Sequence, residues 1–390
     1  MKVGLISFHS FFQPGGVKRH VLGLHKEFKK RGIQSKIIVP RRSLEEKYGK
    51  DIIIMGTSIP IPAAGTQGDF CIYFNPFAIN NLLKEEKFDV LHFHNVGFPS
   101  TIQVLERSNA LNILTFHANL EKSNIIKIFP QIKDFANRIA KWKIDGIIGV
   151  NPLNLRFFKN FNGPKKVIPN GIDLEEFNTK KPKIKRFLDG KINILFLGRI
   201  EERKGLIYLL KAYKILEKKY SNTELPSTME VRGKKRMKSS SPLRLIVVGE
   251  GPLKEDCRKW VENNKLENVV FKKTIKEKDA PFYYRSCDIF CSPAIYGESF
   301  GIVLIEAMAS GKPVVAFANT GYKEVLRKGK GKRFLVKPRD YKTLAKKLEI
   351  LIKNKKLRKE MGEWGIKEAQ KYSWPKIVDQ VLALDRKSVV

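Results

Sequence analysis

One sequence feature constrains this chain most. A short apolar strand, a polar turn bearing glycine and a helix occur in series, and the series starts twice. The first copy is residues 1–8, the loop HSFFQPGG, and a helix from about Val17, with residues 33–40 as the next strand. In that helix Val17, Val21, Leu24 and Phe28 recur at helical spacing. Lys18, Arg19, Lys26, Lys29, Lys30 and Arg31 take the other face, and Gly32 ends it. The second copy is strand Ile192–Leu197, the turn GRIEERKG and helix Leu206–Tyr220, followed by strand Leu243–Val248 and the turn GEGP. Such a series opens a doubly wound parallel sheet. Two copies of similar size imply an α/β chain of two Rossmann-like domains facing each other across a cleft. Its 390 residues suit that number.

Residues 1–168 are expected to form the first domain and 169–372 the second. A basic insertion interrupts the second at about 221–243, and a helix in 373–390 is expected to pack back on the first. Further strands are read at 88–93, Leu111–Phe116 and 144–150. Open α/β sheets hold ligands beyond the carboxyl ends of their strands, so His9, His94 and His117 should collect at one rim. His92 and His94 are read as structural. The first glycine turn is not GxGxxG, so a dinucleotide fingerprint is absent.

The formal charge of +36 raises nucleic acid, an anionic membrane or a merely lysine-rich composition as readings. The lysines are spread along the chain, with denser patches only on the first helix and at 232–244. No aromatics interleave with them as stacking platforms for bases require, so no nucleic acid is expected as a partner. No apolar run approaches the roughly 18 residues of a membrane span, and no leader precedes the first strand; the expected location is cytoplasmic. Cys71, Cys257, Cys287 and Cys291 lack metal spacing and read as reduced thiols.

The richest stretch is GESFGIVLIEAMASGKPVVAF, residues 297–317. It reads as a loop, a buried helix over 301–310, a left-handed stop at Gly311 and a buried strand over 313–317. Free N–H groups at that helix start make an anion site. Glu298 and Glu306, eight residues apart, should lie about two turns apart on a similar face, where carboxylates accept bonds from hydroxyls. An anion joined to many hydroxyls describes a nucleotide-sugar.

The segments PGGVKRHVLGLHKEFKKRG, FDVLHFHN, TFHANLEKS, VIPNGID, FLGRIEERKG, VVGEGP and GESFGIVLIEAMASGKPVVA stand in one order over nearly the whole chain. In that order the chain resembles the family 4 retaining glycosyltransferases, which have the GT-B fold. SIPIPAAGT, and TFH with a lysine five positions after its histidine, are similar to the phosphatidylinositol mannosyltransferases within that family. The resemblance implies an N-terminal acceptor domain and a C-terminal donor domain. It implies donor-site roles for Arg199 and Lys204 on the diphosphate and for Gly15 and Gly16 on the same group. Glu298 would hold sugar hydroxyls, the backbone of Phe300, Gly301, Ile302 and Val303 would complete the anion site, and Glu306 would hold the ribose. His117 would face the reacting centre, making His117, Glu298, Arg199 and Lys204 the catalytic set. His9, Gln13 and Lys122 would face the acceptor.

No DxD pair occurs in the chain, so no metal and no cofactor beyond the nucleotide-sugar (GDP-mannose or a UDP-hexose) is expected. The chain departs from the mannosyltransferases at several places. His9 and Gln13 replace a tyrosine and an aspartate, and Ala64 an asparagine. INNLLKEEKFD is nearly neutral where the family is basic, and Lys272–Lys273 replace LG. The reading is a retaining, metal-independent transfer of a hexose, mannose favoured, to a lipid-linked or inositol-type acceptor at the cytoplasmic membrane surface. Its alternatives are a UDP-sugar-dependent enzyme of polysaccharide or small-glycoside synthesis, and a non-catalytic binder of anionic polymers.

Overall fold

The structure is a computed structural model of the chain and describes residues 1–12, 15–63, 66–72, 75–97, 99–118, 131–221, 241–273 and 275–387. Its contacts divide the chain into two units: Met1–Gly171 with Tyr372–Val390, and Ile172–Lys371.

The first unit runs β1 (Lys2–Ser7), α1 (Gly16–Lys30), β2 (Gln34–Arg41), β3 (Ile52–Ala63), β4 (Thr66–Ile72), α2 (Pro76–Glu86), β5 (Val90–His94), α3 (Ser100–Arg107), β6 (Leu111–Phe116), α4 (Gln131–Lys143), β7 (Gly146–Gly149), α5 (Pro152–Phe157) and β8 (Lys165–Val167). The second runs β9 (Ile192–Leu197), α6 (Leu206–Tyr220), β10 (Leu243–Val248), α7 (Lys254–Asn263), β11 (Val269–Lys272), α8 (Ala280–Ser286), β12 (Ile289–Ser292), α9 (Ile302–Ala309), β13 (Val314–Phe317), α10 (Thr320–Leu326), β14 (Leu335–Val336), α11 (Tyr341–Lys353) and α12 (Lys355–Ala369). Helix α13 (Trp374–Lys387) belongs to the first unit.

The first sheet has the order β4-β3-β2-β1-β5-β6-β7-β8 and the second β11-β10-β9-β12-β13-β14. Every pairing is parallel except β3 with β4. That antiparallel hairpin was not legible in the sequence. β3 runs on past its pairing with β2, and there Pro60 and Pro62 face only β4. A proline without N–H is tolerated at such a sheet margin. In both sheets the strand order reverses beside the first strand, between β1 and β5 and between β9 and β12. At such a point the following helices go to opposite faces, and the loops beyond the carboxyl ends leave room for a ligand.

Alternation along the strands builds two cores on the first sheet. Val3, Leu5, Ile37 and Val39 pack on α1 and α13, and Ile6, Phe8, Ile38 and Phe93 face the other way. An aspartate precedes β5, β7 and β12 and accepts a neighbouring strand's N–H: Asp89 from Lys2 at 2.6 Å, Asp145 from Asn112 at 2.7 Å, Asp288 from Asn193 at 2.8 Å. These bonds help set the strand register.

Helix α13 closes the first core through Trp374, Ile377, Val378 and Val381, all buried. The Trp374 ring lies so close to Gly23 of α1 that a Cβ there would sit 2.0 Å from it. Among the described residues no helix is long and apolar enough to cross a membrane. Trp374→Ala is expected to destabilise the first unit by about 3–5 kcal/mol and to leave the second unit's transition unmoved. Urea unfolding followed by circular dichroism measures this, and a loss below about 1 kcal/mol would show that α13 does not hold the unit together.

Candidate active site

In the second unit, the loops after β9 and β12 meet at the reversal of strand order. The turn after β9 ends in a short 3-10 segment, Glu202–Lys204, and in Gly205 at φ +67°. A Cβ on Gly205 would lie 2.2 Å from the carbonyl oxygen of Pro293, so only glycine lets this turn seat on the loop after β12. The Ile295 N–H donates to the Arg203 carbonyl at 2.7 Å and locks the two loops together. Lys204 and Glu298 are thereby delivered to each other. Glu298 Oε1 accepts from Lys204 Nζ at 2.6 Å and from Arg203 Nη1 at 2.8 Å. All three side chains are largely buried. Arg203 Nε also lies 2.6 Å from Glu201 Oε1, and Arg199 Nε 3.3 Å from Glu201 Oε2.

Burial would raise the Glu298 carboxyl, but Lys204 and Arg203 outweigh it and hold the group below the ordinary 4.5. Burial likewise works against the Arg203 charge, and Glu298 with Glu201 reverses that and raises the guanidinium. Arg199 is the most exposed of these cations, at 44 %.

Helix α9 starts at Ile302, behind Gly301 at φ +110°. A Cβ on Gly301 would press 2.7 Å from the Tyr322 ring. Phe300 is buried beside it. The first-turn N–H groups of Ile302 and Val303 have no intrahelical carbonyl to bond. Glu306 is 1 % exposed within α9, and its Oε2 accepts from the Tyr284 hydroxyl at 2.8 Å. The expected helical alignment of Glu298 with Glu306 does not hold. Glu298 precedes α9, and left-handed Gly297 and Gly301 bracket it, so an eight-residue spacing carries no helical phase. Tertiary pairing with Lys204 and Arg203 sets its direction instead.

In the first unit the corresponding loops carry histidines. His94 Nδ1 lies 3.2 Å from His117 Nε2 at the ends of β5 and β6. His20, from α1, stands with its ring centroid 4.7 Å from that of His117 and 5.3 Å from that of His94. His92 stacks on His94 and bonds Thr115 Oγ1 at 2.6 Å. Asn95 Oδ1 accepts the His117 N–H at 2.7 Å, and Asn95 Nδ2 lies 3.1 Å from His9 Nε2. The rim of His9, His94 and His117 is thus real, and His20 joins it. Burial lowers all four buried imidazoles: His20 to about 4, His92 to about 3, His94 and His117 well below 6.5. Gly15 and Gly16 lie exposed at the start of α1, with open space around Gly15. Gln13 and Lys122, read as acceptor-facing, fall outside the described residues, as does most of the basic insertion, 222–240.

Residues 177–368 match the family described as "Glycosyl transferases group 1" and residues 14–176 the one described as "Glycosyltransferase Family 4". The chain is 31% identical to the phosphatidyl-myo-inositol mannosyltransferase of Mycobacterium leprae, over 98% of this chain and 96% of that one. This protein is a family 4 glycosyltransferase. The glycosyltransferase is also 23% identical to the alpha-monoglucosyldiacylglycerol synthase of Streptococcus pneumoniae, over 82% of this chain and 71% of that one. Its structure matches the sucrose-phosphate synthase of Thermosynechococcus elongatus with a TM-score of 0.75 at 19% identity, covering 99% and 98% of the two chains. The fold is GT-B, and the resemblance read from the ordered motifs holds.

Sequence reasoning missed Arg203 and Glu201, which read as ordinary polar residues of a turn. Their burial in mutual pairing came only from folding. Tyr284, the partner of Glu306, carried no signal. His20 did carry one, since it stands next to Val21 on the buried arc of α1, where an imidazole is out of place.

The buried histidines make stability depend on pH. In the unfolded chain an imidazole takes up a proton below about 6.5, whereas His20 resists until about 4 and His92 until about 3. Their contribution is therefore complete above the unfolded value and is lost as pH falls from there toward 4. The slope is about 1.4 kcal/mol per histidine per pH unit. Thermal melts between pH 7.5 and 4.5 should show the first unit weakening first; a flat profile across this window would contradict the buried neutral cluster.

Proposed function

We propose that this glycosyltransferase moves a hexose, mannose from GDP-mannose, with retention and without a required metal. The acceptor in this proposal is lipid-linked or of inositol type, and the reaction runs at the cytoplasmic membrane surface. The observation that carries the reading is the Glu298–Lys204–Arg203 cluster beside the start of α9. Lys204 and Arg199 neutralise the diphosphate of the donor, and the first-turn N–H groups of α9 add a fixed positive end. Gly15 and Gly16 offer exposed backbone at the start of α1 to a phosphate. Glu298, held ionised and aimed by two cations, accepts bonds from donor-sugar hydroxyls. Glu306, positioned by Tyr284, takes the ribose.

Glu298 serves as neither acid nor nucleophile in this scheme. Two cations bond its Oε1 and keep its proton off at neutral pH. The departing phosphate accepts the acceptor's proton on the face from which it leaves, so retention needs no covalent enzyme intermediate. His117 stays neutral and offers a ring nitrogen to a hydroxyl. Preorganised groups of this kind contribute about 10²–10³ each in rate.

The mannosyltransferase relative supports mannose and an inositol-lipid acceptor by its name, and the alpha-monoglucosyldiacylglycerol synthase relative supports a lipid acceptor in general by its own. The net charge of +36 favours an anionic surface. Lys204→Ala and Glu306→Ala should each lower kcat/KM for transfer by at least about 10²; full activity in both would sink the assignment. In thermal-shift titrations GDP-mannose should raise the melting temperature more than UDP-hexoses do, since stabilisation follows ligand concentration over Kd. A larger rise with UDP-glucose would replace the donor. Co-sedimentation with anionic but not neutral liposomes checks the membrane surface.

A further inference from the structure

We propose that His20, His94 and His117 form a binding site for one divalent transition-metal ion, with Zn²⁺ the ion that best suits three imidazoles. The inference goes beyond the transfer reaction and does not depend on it.

Three independent features meet there. One nitrogen from each of these histidines lies within 4.8 Å of the other two. Tetrahedral zinc with bonds of 2.0–2.1 Å needs ligand nitrogens about 3.3 Å apart. The His94 Nδ1 to His117 Nε2 distance is already 3.2 Å. His20 has to close by at most about 1.5 Å.

The second feature is unsatisfied polarity. Neither ring nitrogen of His20, nor Nε2 of His94, has a hydrogen-bond partner, and both side chains are essentially fully buried. Buried nitrogens are costly to leave unpaired, and a metal ion is one group that would satisfy His20. Asn170 supplies the third feature. Its Oδ1 is buried and unpaired, and its side chain is the one neighbour that favours a proton on His20. Metal-bound histidines usually donate their second N–H to such an oxygen, which fixes the ring. Turning His20 into the cluster puts one nitrogen on the metal and leaves the other for Asn170.

The donor set is three neutral imidazoles with no carboxylate or thiolate among them. That set suits Zn²⁺, Co²⁺ or Cu²⁺ rather than Mg²⁺ or Ca²⁺, which take oxygen. Three protein ligands leave a fourth position open. His117, at 7 %, is the most exposed of the three. An ion bound here takes up the His117 nitrogen that otherwise meets His94.

The test uses the full chain stripped of metal by chelation and titrated with Co²⁺. One equivalent should bind with the intense visible bands of a low-coordinate centre. His20→Asn and His94→Gln should each weaken binding by more than about 100-fold, since loss of an outer-shell partner alone costs about 10–100-fold. His25→Gln, outside the cluster, should bind as the parent does. Circular dichroism confirms folding of each variant. If either variant fails to fold, Zn²⁺ titration of the parent followed by histidine side-chain ¹⁵N spectra decides. Resonances of His20, His94 and His117 should move together out of the six histidines. Absence of stoichiometric Co²⁺ binding, undiminished binding in both folded variants, or shifts confined to other histidines overturns the proposal.

Discussion

A carboxylate held between two cations inside the protein is the interaction on which the second unit's site depends. Glu298, Lys204 and Arg203 are each more than four-fifths buried, so each has lost most of its hydration. Taking such charges from water costs several kcal/mol per ion, and the attraction between them repays this only with close geometry. Here the geometry comes from backbone. Gly205 seats the β9 turn on Pro293, and the Arg203 carbonyl receives the Ile295 N–H. Losing one partner would leave a buried charge uncompensated, the more damaging change. Those backbone contacts fix where the cluster stands, which is what charge stabilisation during a reaction requires.

The first unit uses the same place in its sheet with opposite electrostatics. The ends of its strands β5 and β6 bring the imidazoles of His94 and His117 instead of ion pairs, and burial keeps these neutral. Trp374 from α13 lies against His20 at 5.4 Å between ring centroids, so the end of the chain helps wall the cluster. One topology, reversal of strand order beside the first strand, therefore carries a charged cluster in one unit and an uncharged one in the other. Which it becomes depends on a few loop residues.

Much of this was legible beforehand, for local reasons. Strand alternation, glycine stops and the helical spacing of Val17, Val21, Leu24 and Phe28 are short-range signals, and β6, β9, α6 and β10 fell where they indicated. The β3–β4 hairpin was not, because Pro60 and Pro62 argue against a strand until its position at the sheet margin is known. Lys204 and Glu298 stood out in the sequence as candidates, but their direct contact was not legible, nor was the part of Arg203. Ninety-four residues separate Lys204 from Glu298 along the chain, and no periodicity spans such a gap.

The sequence by itself determined the class of the fold and the family, because both rest on the order of local patterns along the chain. It also pointed to the loops beyond the strand ends as the place for a ligand, an expectation that follows from parallel topology alone. Tertiary structure decided which side chains share a charge and which share a hydrogen bond. Glu298 is an ion-pair partner rather than a helical neighbour of Glu306, and His20 belongs with His94 and His117. Those outcomes depend on through-space distances set by loop packing, where one left-handed glycine redirects a side chain more than any propensity does.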